Sequence, residues 1–143
     1  MSDQISEKSG KCACGAVQFK VLAPDTYGAC HCQMCRRWTG GVWMGVVCTK
    51  VLSIEGPVRS WESSRIGSRG SCRYCGSSLW HKPRHSEHYT FGQGLFDDQT
   101  GWYLRREIFS DEKPDHYALA DKGQTALTGW GTLWAVILGR LPK

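Results

Sequence analysis

The chain has 143 residues, a formal charge of +5, eight cysteines and seven tryptophans. That length favours one domain with a real core over two. The opening MSDQISEKSG lacks the apolar stretch of a secretory signal, and no later apolar run is long enough to cross a bilayer. A soluble, cytoplasmic protein with no membrane partner is therefore expected, and the charge of +5 is mildly basic.

Residues 1–9 read as a polar lead to a single domain over 10–143. From Ala16 to Leu22, Val17, Phe19 and Val21 alternate with Gln18 and Lys20, the period of a half-buried strand. A loop with Pro24 and Gly28 leads into the first dense cysteine cluster. GVWMGVVC then reads as a buried strand ending at Cys48, and VLSIEGP as a short strand closed by Gly56 and Pro57. RIGSRGSCRYCGSSLWHK carries a cysteine pair on a Gly- and Ser-rich knuckle, and HYTFGQGLFDD and WYLRREIFS supply two more strand-like stretches. Trp130, Leu133, Trp134, Ile137, Leu138 and Leu141 recur at helical spacing, which predicts a C-terminal amphipathic helix whose apolar stripe packs on the sheet, or else serves a dimer or membrane contact. The fold class is all-β, mainly short antiparallel sheets, with that one helix.

The cysteines fall as Cys12-x-Cys14, Cys30-x-Cys32-x-x-Cys35, Cys48 alone, and Cys72-x-x-Cys75. A reducing cytosol keeps thiols free, and bridging Cys12 to Cys14 or Cys30 to Cys32 would close a very small ring, so metal ligation is favoured over disulfides. Two pairs and a triplet make seven candidate ligands for tetrahedral zinc. Cys12 and Cys14 with Cys72 and Cys75 suit a closed four-sulfur site, which leaves the triplet separate. Spacing alone leaves other groupings open: the triplet can join Cys72 or Cys75, or close on Cys48. Cys48 ends an apolar run and reads as a small buried hydrophobe. His31 points away from its cysteine neighbours in an extended backbone. His81, His85 and His88 surround Pro83 in a segment that reads as a solvated loop, not a metal-binding helix face.

Three stretches in order, CACGAVQF (12–19), CHCQMCRRWTGG (30–41) and CRYCGSSLW (72–80), resemble the family of glutathione-dependent formaldehyde-activating enzymes, which includes the centromere protein V domain. Looser agreement runs through GLFDDQTG and EIFSDEKPDHYALAD, covering roughly residues 10 to 123. The resemblance implies an all-β fold stapled by zinc. It implies a structural zinc on Cys12, Cys14, Cys72 and Cys75 and a catalytic zinc on Cys30, Cys32 and Cys35, two Zn2+ per chain. Ser71 and His116 stand where relatives often carry aromatic residues, which bears on packing and substrate preference.

The implied activity is that of a carbon–sulfur lyase, or S-(hydroxymethyl)glutathione synthase, acting on a small thiol and aldehyde with glutathione and formaldehyde as the pair. Three thiolates make zinc a weak generator of hydroxide but leave it able to bind and ionise a fourth thiol. Arg36 and Arg37 follow the last ligand and can grip a glutathione carboxylate, or serve as surface charge. Gly40 and Gly41 allow close approach of a ligand or form a turn, and Trp38 and Trp43 either wall the site or belong to the core. Seven thiolates and two divalent ions lower the formal charge of +5 to about +2, which weakens the case for a general nucleic-acid field. The competing expectation is a non-catalytic zinc module or glutathione carrier that binds a protein or nucleic-acid partner.

Overall fold

The computed structural model describes residues 4–121, 125–126 and 128–137. In chain order they form β1 (Ser6–Lys11), β2 (Gln18–Ala23), β3 (Thr26–Cys30), α1 (Gln33–Thr39), β4 (Trp43–Val47) and β5 (Lys50–Glu55). There follow β6 (Val58–Ser64), β7 (Gly67–Cys72), β8 (Ser78–Pro83), β9 (Thr90–Gly92), β10 (Tyr103–Ile108), β11 (Thr125–Ala126) and α2 (Gly129–Ile137), with 3-10 turns at Gln93–Leu95 and Ser110–Glu112. The protein is mostly β-sheet with few helices. It divides into two compact units: Met1–Thr26 with Gly45–Trp102, and Tyr27–Met44 with Tyr103–Lys143.

In the first unit β1, β2 and β5 form one antiparallel sheet, while β9, β8, β7 and β6 follow β4 in a second strand order. The alternation seen in the sequence places Phe19 and Val21 of β2 inside and Gln18 and Lys20 outside. Phe19 stacks on Phe91 of β9 at 4.2 Å between ring centroids and meets Phe96 edge-on at 5.2 Å. Val17, Val46 and Leu79 are fully buried, as are Phe19 and Phe91. Gly70 of β7 is required because any Cβ there would overlap the Trp80 ring of β8.

β1 and β6 lack an apolar pattern. β1 lies partly in the segment that composition assigns to a polar lead, yet all six of its residues pair with β2, from Ser6 opposite Ala23 to Lys11 opposite Gln18. Backbone hydrogen bonds along a sheet edge do not require apolar side chains. Lys8 adds an ion pair with Asp25 at 2.5 Å and lies over the Trp102 ring at 5.4 Å. β6 is similarly polar and held by its antiparallel pairing with β7.

In the second unit β10 lies between β11 and β3, with the β10–β11 pair parallel. α1 spans only seven residues, too short for periodicity to reveal. Gly40 ends it at φ 86°, a left-handed C-cap whose N–H donates to the Arg36 carbonyl, and no atom lies within 4 Å of where its Cβ would be. Gly40 therefore makes the turn. The C-terminal helix is present but short, and Leu138 and Leu141 lie outside the described residues. It does not bury its tryptophans: Trp130 is 74% and Trp134 57% exposed, whereas Thr132 is buried. The inward face is set by hydrogen bonds. Phe109 N–H donates to Thr132 Oγ1 at 3.3 Å, and Gly129 N–H donates to Asp111 Oδ1 at 2.7 Å.

Phe19→Ala is expected to destabilise the protein by about 3–5 kcal/mol, and Trp130→Ala by less than about 0.5 kcal/mol, in urea unfolding followed by circular dichroism.

Candidate metal centres

The first cluster is built from two knuckles of one unit. Cys12 and Cys14 occupy the turn between β1 and β2, while Cys72 ends β7 and Cys75 lies in the turn that leads to β8. Each knuckle closes the same way: Cys12 N–H donates to Val17 O at 3.0 Å, and Cys72 N–H to Ser77 O at 3.0 Å. Ala13 N–H donates to Ser77 Oγ at 3.0 Å, tying the knuckles together. The four sulfurs lie within 4.8 Å of one another, with Cys12 to Cys14 at 3.6 Å and Cys14 to Cys72 at 3.9 Å. A tetrahedron with metal–sulfur bonds of about 2.3 Å has edges of about 3.8 Å, so the spacing fits a zinc-sized ion.

The local electrostatics prepare some of these thiols for ionisation. Val17 N–H points at Cys12 Sγ at 3.3 Å and Tyr74 N–H at Cys72 Sγ at 3.4 Å. Hydrogen bonds from the Ser77 hydroxyl and backbone draw the Cys75 thiol down to about 5. Cys14 gains from the Ala16 backbone, but burial and the thiols of Cys12, Cys75 and Cys72 push it up to about 11. Crowded sulfurs thus compete to remain neutral until a cation joins them.

The second cluster lies wholly in the other unit. Cys30 ends β3, Cys32 is the N-cap of α1 and Cys35 sits in its first turn. Their three sulfurs also converge within 4.8 Å. Cys35 N–H donates to Cys32 Sγ at 3.3 Å, so sulfur takes the capping role usually held by a side-chain oxygen. Cys30 and Cys35 are buried and Cys32 is half-buried. The Cys32 and Cys35 thiols, then burial, push Cys30 far above the ordinary thiol range. The donor chemistry suits a thiophilic cation.

His31, between two members of this cluster, is fully buried. Its Nε2 lies 2.7 Å from Glu107 Oε1 and its Nδ1 2.8 Å from the Tyr117 hydroxyl. Arg36 Nε donates to the His31 carbonyl at 2.9 Å, while Arg37 is exposed. Glu112 accepts from Gln33 N–H at the start of α1, at 3.4 Å. Trp38 and Trp43 meet edge-on at 5.3 Å. Sequence reasoning missed Glu107 and Tyr117 because they lie 76 and 86 residues from His31 and carry no spacing signal.

The other residues weighed from sequence take separate places. Cys48 belongs to neither cluster: its Sγ faces the Val46 carbonyl at 3.4 Å, and burial pushes its thiol up to about 12. His81 lies opposite Arg69 in the β7–β8 register, and His85 and His88 are exposed in the loop beyond β8. His116 is exposed, with its ring 5.4 Å from that of Tyr117.

Two convergent thiol sets on a mostly β scaffold define a protein equipped to hold metal ions through sulfur. The family model described as "GFA: Glutathione-dependent formaldehyde-activating enzyme" matches residues 7–112. The chain belongs to that family. A protein of Halomonas elongata is 29% identical over 129 residues, spanning 80% of this chain and 82% of its own length, and its name gives the same formaldehyde-activating assignment as provisional. A crystal structure of a Rhodobacter sphaeroides protein shares the fold with a TM-score of 0.50 at 19% identity, covering 84% of this chain and 99% of that one.

The geometry around Cys48 has a direct chemical consequence. Iodoacetamide applied to the native protein is expected to leave Cys48 unmodified, with labelling only after denaturation, as read by peptide mass spectrometry.

Proposed function

We propose that the protein is a zinc-dependent carbon–sulfur lyase that reversibly joins glutathione, or a related thiol, to formaldehyde or a related aldehyde, as one cytoplasmic domain over residues 10–143. Family membership supports the reaction class. The observation that carries the zinc assignment is the convergence of Cys30, Cys32 and Cys35 as a three-thiol set apart from the four-thiol set. In this reading Cys12, Cys14, Cys72 and Cys75 hold a closed structural zinc, and the triplet holds a second zinc with one position left for substrate.

Bound there, zinc would supply Lewis acidity that lets a substrate thiol lose its proton near neutral pH. The chain's own residues hold and orient. The sulfur lone pair of glutathione forms a bond to the carbonyl carbon of formaldehyde, the carbon–oxygen π pair moves to oxygen, and that oxygen takes a proton to give S-hydroxymethylglutathione. The reverse step returns both reactants without an oxidant or reductant. Arg36, anchored through Nε on the His31 carbonyl, and exposed Arg37 are assigned to the glutathione carboxylates.

Metal analysis is expected to find two zinc ions per chain. Cys35→Ala should lose one zinc and calorimetric glutathione binding while keeping its fold, and Cys72→Ala should unfold because a structural zinc supplies folding free energy. Exchange NMR of glutathione with formaldehyde should show faster adduct formation with wild type than with Cys35→Ala. Glutathione binding without that rate gain would replace the lyase by a carrier, and two zinc ions each held by four protein sulfurs would overturn the open site.

A further inference from the structure

His31 has every hydrogen-bonding group engaged. Its backbone N–H donates to the Ile108 carbonyl at 3.1 Å and its own carbonyl accepts from Arg36. A carboxylate only accepts, so Nε2–H donates to Glu107 and, with one proton on the ring, Nδ1 accepts from the Tyr117 hydroxyl. The imidazole is fully buried and its two side-chain partners come from distant parts of the same unit. A polar group of this kind is costly to bury unless each bond is made, and once made it admits few alternative conformations.

The place of this residue gives the network a use. His31 is the single residue between Cys30 and Cys32, and its peptide groups are flanked by the two residues that carry the first two thiols of the chelate. Fixing His31 at its backbone N–H, its carbonyl and both ring nitrogens fixes the direction in which those neighbours project. We propose that His31, held by Glu107, Tyr117 and Arg36, is a positioning residue that sets the Cys30-x-Cys32 backbone so that the three sulfurs converge before metal binds. His31 is not a ligand in this scheme and moves no proton. Its contribution is preorganisation: the chain does not have to order the chelate when the ion arrives.

This inference rests on the zinc reading above, and its test separates the two. Full-length zinc-loaded protein is titrated with a chromophoric chelator, the four-thiol site serving as internal reference and Cys35→Ala identifying the step that belongs to the triplet. Tyr117→Phe and His31→Asn are expected to weaken zinc at the triplet by about 10–100-fold, the size typical of partners that orient metal ligands, with the reference step unchanged. Glu107→Gln, whose amide oxygen still accepts from Nε2–H, should rescue affinity relative to Glu107→Ala. Cobalt-substituted Tyr117→Phe should show altered ligand-field bands, which loss of packing elsewhere would not produce. If His31→Asn does not fold, Tyr117→Phe decides, since it removes a single hydroxyl.

Variants that melt earlier but hold both zinc ions with wild-type affinity and unchanged cobalt bands would reduce the network to ordinary core packing and overturn this inference alone. A wild-type chain that holds only one zinc would overturn the zinc reading and this inference with it.

Discussion

Thiols packed against one another cannot all ionise unless something positive stands among them. That constraint governs both clusters. In the four-thiol set the ionisation falls unevenly, with Cys75 drawn down by Ser77 while Cys14 is driven up by its neighbours. In the triplet the thiols of Cys32 and Cys35, then burial, push Cys30 far above the ordinary thiol range. Much of the local architecture follows from bringing sulfurs this close. Matched backbone turns close the two knuckles, N–H groups point at Cys12, Cys32 and Cys72, and a strand end and a helix start bring Cys30 and Cys32 together.

The two clusters differ in how their surroundings hold them. The knuckles of the four-thiol set rely on backbone hydrogen bonds and one serine, and Cys14 and Cys75 remain exposed. The triplet is backed by a buried imidazole hydrogen-bonded to a carboxylate and a phenol, with a guanidinium on the same residue's carbonyl. In the reading proposed above, the four-thiol set joins chain segments and needs its ligands close together, whereas the triplet would present a substrate and needs its ligands aimed, which takes directional contacts behind them.

What could be read from the sequence tracks how local each signal is. The cysteine groups were visible because their spacing is short, and β2 because Phe19 and Val21 alternate with polar residues. β1 was hidden because an edge strand needs partners for its backbone more than apolar side chains, and α1 because seven residues contain too few turns for a period. The tail pattern did indicate a helix, but the expected inward stripe yielded to the hydrogen bonds that seat Thr132. His31 could be placed between cysteines, yet its partners depend on folding across more than 70 residues, which no local pattern encodes.

The match to the family model stops at residue 112, whereas the phenol on His31 belongs to Tyr117 and the hydroxyl that receives Phe109 N–H belongs to Thr132. A chain trimmed to the matched span would retain all seven clustered cysteines. It would also leave Nδ1 of a buried imidazole and the amide of Phe109, held at φ 51°, without these partners. The matched sequence therefore ends before the residues that complete the hydrogen bonding of the His31 ring and the Phe109 amide.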